Sequence, residues 1–549
     1  MSAEYTVSAA VLDLLAANGV DTAFGIPGVH NLGLWNALAP GRPRIIGVRH
    51  EQAAGYACDA MYRATGKVGA ALLTSGPGAA NILAAFGEAF TAYSPMLVLS
   101  SDVGTGLRRP GVTRGILHEM LDQGAMFRAF GASGVTATSV ADAVELVTSA
   151  VEAILAAPGQ PAYVGVPANI LEAPYEGAPV GPLPARDIAV PDVEAVAQLI
   201  VESGRIVLWL GGGVVAAGVE EEARRLAHRL GAVVVTSFAG RGLLAGDPNT
   251  IEVPVHEPEV CDVIENADLL LVLGSDFDAM NTKNWRMTWP RRTAVMSLGS
   301  QVQHTIAWDV HVDADLRVGL AALESALDDR DFAARDLWLP GAASIRQRVL
   351  TRLRADGRVK DAVAFVDALE RGWSQQDAIV GDMAVAGFWS VLYSYQSRPR
   401  RAQYPVGWGT LGYGLPAAMG PASQGIATLA VCGDGGPMFA LGELATYAQE
   451  SLPITLLVVD DGGYGMLRFD QQVFGHPERG VDLLTPDWIA LARSFGIDGA
   501  VVEHAGAIPD ALRAARVANG RGEPRVIVWK QRLYPPATTS PRWFEGLVG

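Results

Sequence analysis

Two carboxylates in the C-terminal third of the chain stand where a metal ion and a phosphate group could be held together. The apolar run 427–432 stops at Gly433-Asp434-Gly435-Gly436, and a second run, 454–459, stops at Asp460-Asp461-Gly462-Gly463. Between them Met438, Leu441, Leu444, Ala445 and Ala448 recur at helical spacing, which predicts one strand–helix–strand unit. Neighbouring strands of an open parallel sheet end side by side, and ligands bind at those carboxyl ends. Asp434 and Asp461 then face one small volume, beside backbone N–H groups that the glycines leave bare. Hard oxygen donors next to free amides suit a magnesium ion carrying phosphate oxygens. The structural alternative is an ordinary strand–helix–strand unit with loop carboxylates.

A third carboxylate, Glu51, lies in Arg49-His50-Glu51-Gln52-Ala53-Ala54, at a strand end and the start of a helix. Taken alone it is a negative charge complementing the helix dipole. Two glycine-containing turns flank it in sequence, Gly25-Ile26-Pro27-Gly28 and Thr74-Ser75-Gly76-Pro77-Gly78-Ala79-Ala80-Asn81. Their glycines let backbone approach a ligand closely. His118, in Leu117-His118-Glu119, and His30 sit in neighbouring predicted loops, and either could move a proton or bind a carboxylate.

These pieces, with Gly407-Trp408-Gly409-Thr410-Leu411-Gly412-Tyr413-Gly414-Leu415-Pro416, follow one another in an order that resembles the thiamine-diphosphate (ThDP) enzymes over nearly the whole chain. The resemblance implies that Glu51 hydrogen-bonds the aminopyrimidine of the cofactor and favours its imino tautomer. It makes Leu411 the apolar wedge that bends the cofactor and Gly409 the carbonyl that meets its 4′-amino group. Further cofactor contacts fall on Pro27, Gly28, Gly76, Asn81, Gly433, Asp434, Gly435, Gly436, Asp461, Tyr464, Gly465 and Met466. Asp434, Asp461 and the carbonyl of Gly463 become the Mg2+ ligands. Asp461 departs from the family, which usually has Asn there; the added charge is expected to tighten the metal and weaken the anion. Leu-His-Glu at 117–119 replaces the Phe-Gln-Glu of acetolactate synthases and is similar to 2-oxo-acid decarboxylase-like members, so His118 is a candidate catalytic residue.

The implied activity is ThDP- and Mg2+-dependent decarboxylation of a pyruvate-like 2-oxo acid, with carboligation to a second carbonyl as in acetolactate synthases. The alternatives are a simple decarboxylase that releases an aldehyde, and a ThDP-fold protein that binds cofactor without turnover. Because Glu51 and Asp434 lie in different domains, the family pattern implies a site shared across a homodimer, often paired into a homotetramer.

The rest of the chain must position these groups. Strand-sized apolar runs alternating with helical patterns predict an α/β protein of three doubly wound parallel-sheet domains, at residues 1–171, 191–330 and 360–549. By resemblance these are the pyrimidine-binding, central and diphosphate/Mg-binding domains. The Pro/Gly/Ala-rich stretch 172–190 reads as a surface linker. In the central domain Gly211-Gly212-Gly213-Val214-Val215-Ala216 fits a loose dinucleotide fingerprint. The stretch 253–260 lacks the family's Gly-Met-His-Gly run, and 296–300 lacks an acidic pair, which argues against FAD. Residues 470–480 are polar and loop-like and read as a lid; the tail 533–549, with Pro541, Trp543 and Phe544, is a second candidate cover.

Bulk properties narrow the field. A net charge of −16 over 549 residues, without a basic stripe, argues against a nucleic-acid surface. No apolar run reaches membrane-spanning length. Cys58, Cys261 and Cys432 are far apart, without metal or disulfide spacing, and the first residues lack a signal-peptide pattern. A cytoplasmic enzyme acting on a small molecule is the expectation.

Overall fold

The computed structural model describes residues 5–536, apart from 110, 180, 185–186, 300–301, 329 and 331–340. Three parallel sheets organise it, each with helices on both faces. The N-terminal sheet comprises β1 (Thr22–Gly25), β2 (Arg44–Gly47), β3 (Gly69–Leu73), β4 (Met96–Asp102), β5 (Gly134–Thr136) and β6 (Ala162–Pro167). The central sheet holds β7 (Ile206–Leu210), β8 (Val233–Thr236), β9 (Leu269–Leu273), β10 (Arg292–Ser297) and β11 (Val310–Asp313). The C-terminal sheet holds β12 (Ala378–Gly381), β13 (Ala402–Gln403), β14 (Thr428–Gly433), β15 (Ile454–Asp460), β16 (Asp498–Val502) and β17 (Arg525–Lys530). This is the three-domain doubly wound architecture that the alternating pattern predicts. β3, β4, β14 and β15 are almost wholly buried, which is why their sequences are continuous apolar runs rather than alternating ones.

The strand orders carry information the sequence does not display. The N-terminal sheet runs β2-β1-β3-β4-β6-β5 and the C-terminal sheet β13-β12-β14-β15-β17-β16, strand for strand the same order. The loop after β3, which holds Gly76, is therefore topologically equivalent to the loop after β14, which holds Asp434.

The two outer domains are packed on each other through the helix Glu51–Thr65. One buried apolar cluster includes Ala53, Tyr56, Ala57 and Met61 of that helix with Leu415, Met419 and Cys432 of the C-terminal domain. A polar clamp lies beside it. Asp59 accepts from Arg63 (2.9 Å) and from the Tyr413 hydroxyl (2.6 Å), while Glu88 accepts from Arg63 (2.9 Å) and from the Trp408 amide (2.8 Å). Glu443 accepts from the amides of Arg49 (2.8 Å) and His50 (3.1 Å), fixing the start of the same helix. Each buried carboxylate is thus paired or bonded, as burial of charge requires.

Local departures from the sequence reading have physical causes. The segment between β14 and β15 begins with a single 3₁₀ turn, Pro437–Phe439, and becomes helical only at Glu443–Gln449, leaving Met438 and Phe439 exposed. Residues 470–473, read as loop, belong to the helix Gly465–Val473, because Arg468 and Asp470 are buried against the fold and fix that turn. The linker 172–190 is without helix or strand among its described residues and is tied down by Tyr175 N–H to Tyr5 O (2.8 Å) and Leu183 N–H to Asn18 Oδ1 (2.8 Å). The glycine fingerprint after β7 serves packing. A Cβ at Gly211 would lie 2.2 Å from the Gly274 carbonyl oxygen, so the space a nucleotide would approach is filled by backbone. The tail candidates Pro541, Trp543 and Phe544 lie outside the described residues.

Candidate active site

A cavity of about 540 Å³ opens at the carboxyl ends of β12, β14 and β15. Every C-terminal position expected to meet the cofactor lines it: Gly409, Leu411, Gly433, Asp434, Gly435, Gly436, Asp461, Gly463, Tyr464, Gly465 and Met466. Met280 and Asn284 of the central domain close one wall, and Leu533 and Pro535 of the tail another.

The electrostatics of this cavity call for a cation. Both carboxylate oxygens of Asp434 and Oδ1 of Asp461 are buried without a hydrogen-bond partner. Burial, then the charges of Asp461 and Asp460, push the Asp434 carboxyl up to about 7. Unpartnered, mutually repelling carboxylates are costly unless a positive charge joins them. No group of three His, Cys, Asp or Glu side chains able to hold a metal occurs among the described residues. A cation here would need backbone and diphosphate oxygens besides the two aspartates, so the donor set fits Mg2+ with a diphosphate. Gly465 is required by this arrangement: a Cβ there would sit 2.1 Å from Asp461 Oδ2.

Sequence reasoning missed Asp382, which follows β12. Fully buried, it accepts at Oδ1 from the amides of Met383 (2.7 Å), Gly412 (3.0 Å) and Tyr413 (3.2 Å). Burial nonetheless raises its carboxyl to about 6. It pins the Gly409–Gly414 turn that presents Leu411. The only signal was another Gly-Asp at a strand end, Gly381-Asp382. Asp382→Ala is expected to cost about 2–3 kcal/mol of stability, since several buried amides lose their acceptor. Chemical denaturation of the purified variant would check this; a loss below about 0.5 kcal/mol would contradict the role.

The N-terminal residues form a second cluster. Glu51 opens the helix Glu51–Thr65, whose cap is His50, and its Oε2 accepts from Asn81 Nδ2 (2.9 Å). Gly28 N–H donates to Asn31 Oδ1 (2.7 Å), and Gly76 N–H to Gln123 Oε1 (2.6 Å). Gln123, to which the sequence assigned no role, is buried and anchors the loop further to Ser101 O (3.1 Å). His30 Nδ1 lies 2.6 Å from Ser75 Oγ, which lies 3.3 Å from His118 Nδ1, and the two imidazoles meet edge-on at 5.4 Å. Burial, then the neighbouring His118, lowers the His30 pKa, with Asp102 opposing. His118 adopts a left-handed backbone (φ 65°), unusual for a residue with a side chain and frequent at functional sites. Pro27 is exposed beside Gly28.

None of these N-terminal residues lines the cavity that contains Asp434. Within one chain, Glu51 lies outside the cavity that contains Asp434.

The comparisons follow the same division. Residues 5–126 match the thiamine pyrophosphate enzyme N-terminal TPP binding domain, 193–323 the thiamine pyrophosphate enzyme central domain, and 382–528 the thiamine pyrophosphate enzyme C-terminal TPP binding domain. The probable 2-ketoarginine decarboxylase of Pseudomonas aeruginosa is 32% identical over 512 residues, covering 89% of this chain and 88% of that protein. The chain belongs to the thiamine pyrophosphate enzyme family. The acetolactate synthase large subunit of Parasynechococcus marenigrum is 31% identical over 534 residues (91% of this chain, 84% of that one). The acetolactate synthase isozyme 2 large subunit of Escherichia coli is 26% identical over 500 residues (89% of each). As a member of this family the protein is an enzyme acting on carbon–carbon bonds, with ThDP-binding domains at both ends. Among the described residues no helix is long and apolar enough to cross a membrane.

Proposed function

We propose that this thiamine pyrophosphate enzyme decarboxylates a 2-oxo acid and releases an aldehyde, with ThDP and Mg2+ as cofactors. The His30–Ser75–His118 cluster carries this reading. It places two imidazoles beside the loop that also adjoins Glu51, through Gly78, whose Cβ position is 3.4 Å from Glu51 Oε1. A decarboxylase must return a proton to the carbon that lost carbon dioxide, and paired imidazoles are suited to hold and deliver one.

Bound ThDP supplies an electron sink for the carbon next to the carbonyl. The chain's residues do the rest. Asp434, Asp461 and the Gly463 carbonyl would hold Mg2+, and the amides of Gly435 and Gly436 would be available to the diphosphate. Leu411, on the turn held by Asp382, would supply the apolar surface against which the cofactor packs. Glu51, its carboxylate fixed by Asn81, would hold and exchange a proton with the pyrimidine ring. Met383, Leu467 and Tyr464 line the cavity with largely apolar surface. An intact Glu51 speaks for turnover rather than cofactor storage.

Carboligation of the acetolactate synthase type is the second reading. It is favoured by relatives of that name, and the histidine pair moves it behind decarboxylation. The deciding experiment is incubation with ThDP, Mg2+ and a series of 2-oxo acids, starting with pyruvate, with products identified by mass. Aldehyde and carbon dioxide in equal amounts are expected; an acyloin as main product would establish the carboligase instead. His118→Ala should lower kcat about a hundredfold and raise the acyloin fraction, because protonation is then the slow branch.

The separation of the half-sites supports a homodimer as the smallest active unit. Exposed apolar side chains rim both halves: Val29 (71% exposed), Leu117 and Leu121 beside the histidines, and Trp408 (53%), Phe439 and Leu467 beside the cavity. A second copy of the chain would cover both rims and bring Glu51 to Asp434. The free thiols of Cys58, Cys261 and Cys432 fit a reducing cytoplasm.

A further inference from the structure

Asp461 brings a negative charge to a position that in the wider family is usually an uncharged Asn. The structure holds a positive charge directly against it. Arg468, in the first turn of the helix Gly465–Val473 that follows Asp461, has a side chain only 5% exposed, and its Nη1 lies 3.7 Å from Asp461 Oδ2. That is an ion-pair contact rather than a hydrogen bond. The other Asp461 oxygen, Oδ1, has no partner and remains for the cation. The guanidinium is fixed from its far side: Nη2 donates to Asp482 Oδ1 (2.8 Å) and to the Gly462 carbonyl (3.3 Å), and Nε lies 3.7 Å from Glu478 Oε2. Arg532 also acts on Asp461, but from a solvent-exposed position where its charge is screened.

We infer that Arg468 is a positioning residue that makes Asp461 behave as the family's Asn does: one oxygen offered to Mg2+, the other end neutralised. Formal charge supports this. Replacing Asn by Asp adds one negative charge opposite the diphosphate, and Arg468 is the buried positive charge beside it, shared with the more exposed Asp482 and Glu478 on its outer side. On this inference Asp461 is expected not to weaken anion binding, because Arg468 offsets the charge that would repel the diphosphate. Gly465 is part of the arrangement, since only the absent Cβ leaves room for Asp461 Oδ2 to turn toward Arg468.

The inference rests on Asp434 and Asp461 being the metal ligands, not on which 2-oxo acid is used. Its test is ThDP affinity at saturating Mg2+, read by calorimetry on the full-length protein. Arg468→Gln is expected to weaken ThDP binding about tenfold, as loss of a charge-assisted contact in a partly buried site does. Arg468→Lys should retain most of the affinity, because it keeps the charge. The double variant Asp461→Asn/Arg468→Gln should return to within about twofold of the parent, a large departure from additivity. A double variant as weak as Arg468→Gln, or weaker, would overturn the pairing. Glu478→Gln/Asp482→Asn removes the outer contacts and leaves Asp461–Arg468; it should bind normally, and a tenfold loss there would assign the effect to the loop instead. Asp434→Ala separates the two ideas: unchanged Mg2+-dependent binding in that variant would sink the metal assignment itself.

Discussion

Glu51→Gln is expected to lower turnover of the 2-oxo acid by about 10²–10⁴-fold, the usual worth of a positioned acid or base. ThDP affinity should change little. Glutamine keeps an oxygen for the Asn81 amide, which now approaches at 2.9 Å, and the helix Glu51–Thr65 keeps its His50 cap. What is lost is a group that can carry a proton. Steady-state kinetics beside a cofactor titration would separate the two effects. Undiminished turnover would remove Glu51 from the mechanism, and a parallel loss of binding would make it structural.

Asp434→Asn is expected to have the opposite signature: Mg2+-dependent ThDP binding falls by about a hundredfold or more, since a charge-assisted ligand is lost. The metal-free protein, in contrast, should gain stability. The folded-state pKa of Asp434 is raised to about 7 by burial and by the neighbouring Asp461 and Asp460. The unfolded carboxyl therefore ionises first as pH rises. Between the ordinary carboxylate range and about pH 7 the folded state binds more protons than the unfolded state, so stability falls as pH rises. Above that window the penalty is constant. Asn has no such penalty, so the metal-free variant should be more stable by about 1–2 kcal/mol at pH 8 and equal to the parent at low pH. Thermal melts of metal-free protein across pH would show this; a parent curve parallel to that of the variant would refute it.

The two variants together test whether the site is shared. If Glu51 of one chain completes the cavity of another, mixing and reassociating the inactive Glu51→Gln and Asp434→Asn chains rebuilds one intact site per mixed dimer. About a quarter of the parental rate should return. No recovery, with subunit exchange shown by mass, would place the whole site within one chain.

The candidate site was legible where polar residues end apolar runs. Asp434 and Asp461 stand out because glycine and carboxylate interrupt buried strands, whereas Glu51 reads alone as a helix-dipole charge and becomes a candidate only through the family resemblance. The three-sheet fold was readable for the same reason: β3, β4, β14 and β15 are buried on both faces and leave continuous apolar runs. Asp382 was not readable, because the amides it gathers come from a turn about thirty residues on, and no local pattern links them. The His30–Ser75–His118 cluster needs three loops to converge, which only the sheet order sets. Arg468 looked like one charge among many in a polar stretch; its burial against Asp461 depends on how the helix Gly465–Val473 docks. The likeness of the outer sheets was hidden because β13 has shrunk to two residues and leaves hardly any apolar signal.

The clamp around the helix Glu51–Thr65 bears on communication between sites. Glu51 at its first turn faces one half-site, while Asp59 and Arg63 farther along, with Glu88, grip Tyr413 and Trp408 of the turn that presents Leu411 to the other. In a dimer those half-sites complete different cavities. One helix would thus join the acid of one active centre to the wedge of the next, and any shift of that helix on filling the first would change the free energy of filling the second. The two cofactors of such a dimer would be thermodynamically linked, entering with unequal affinities although their sites are chemically identical.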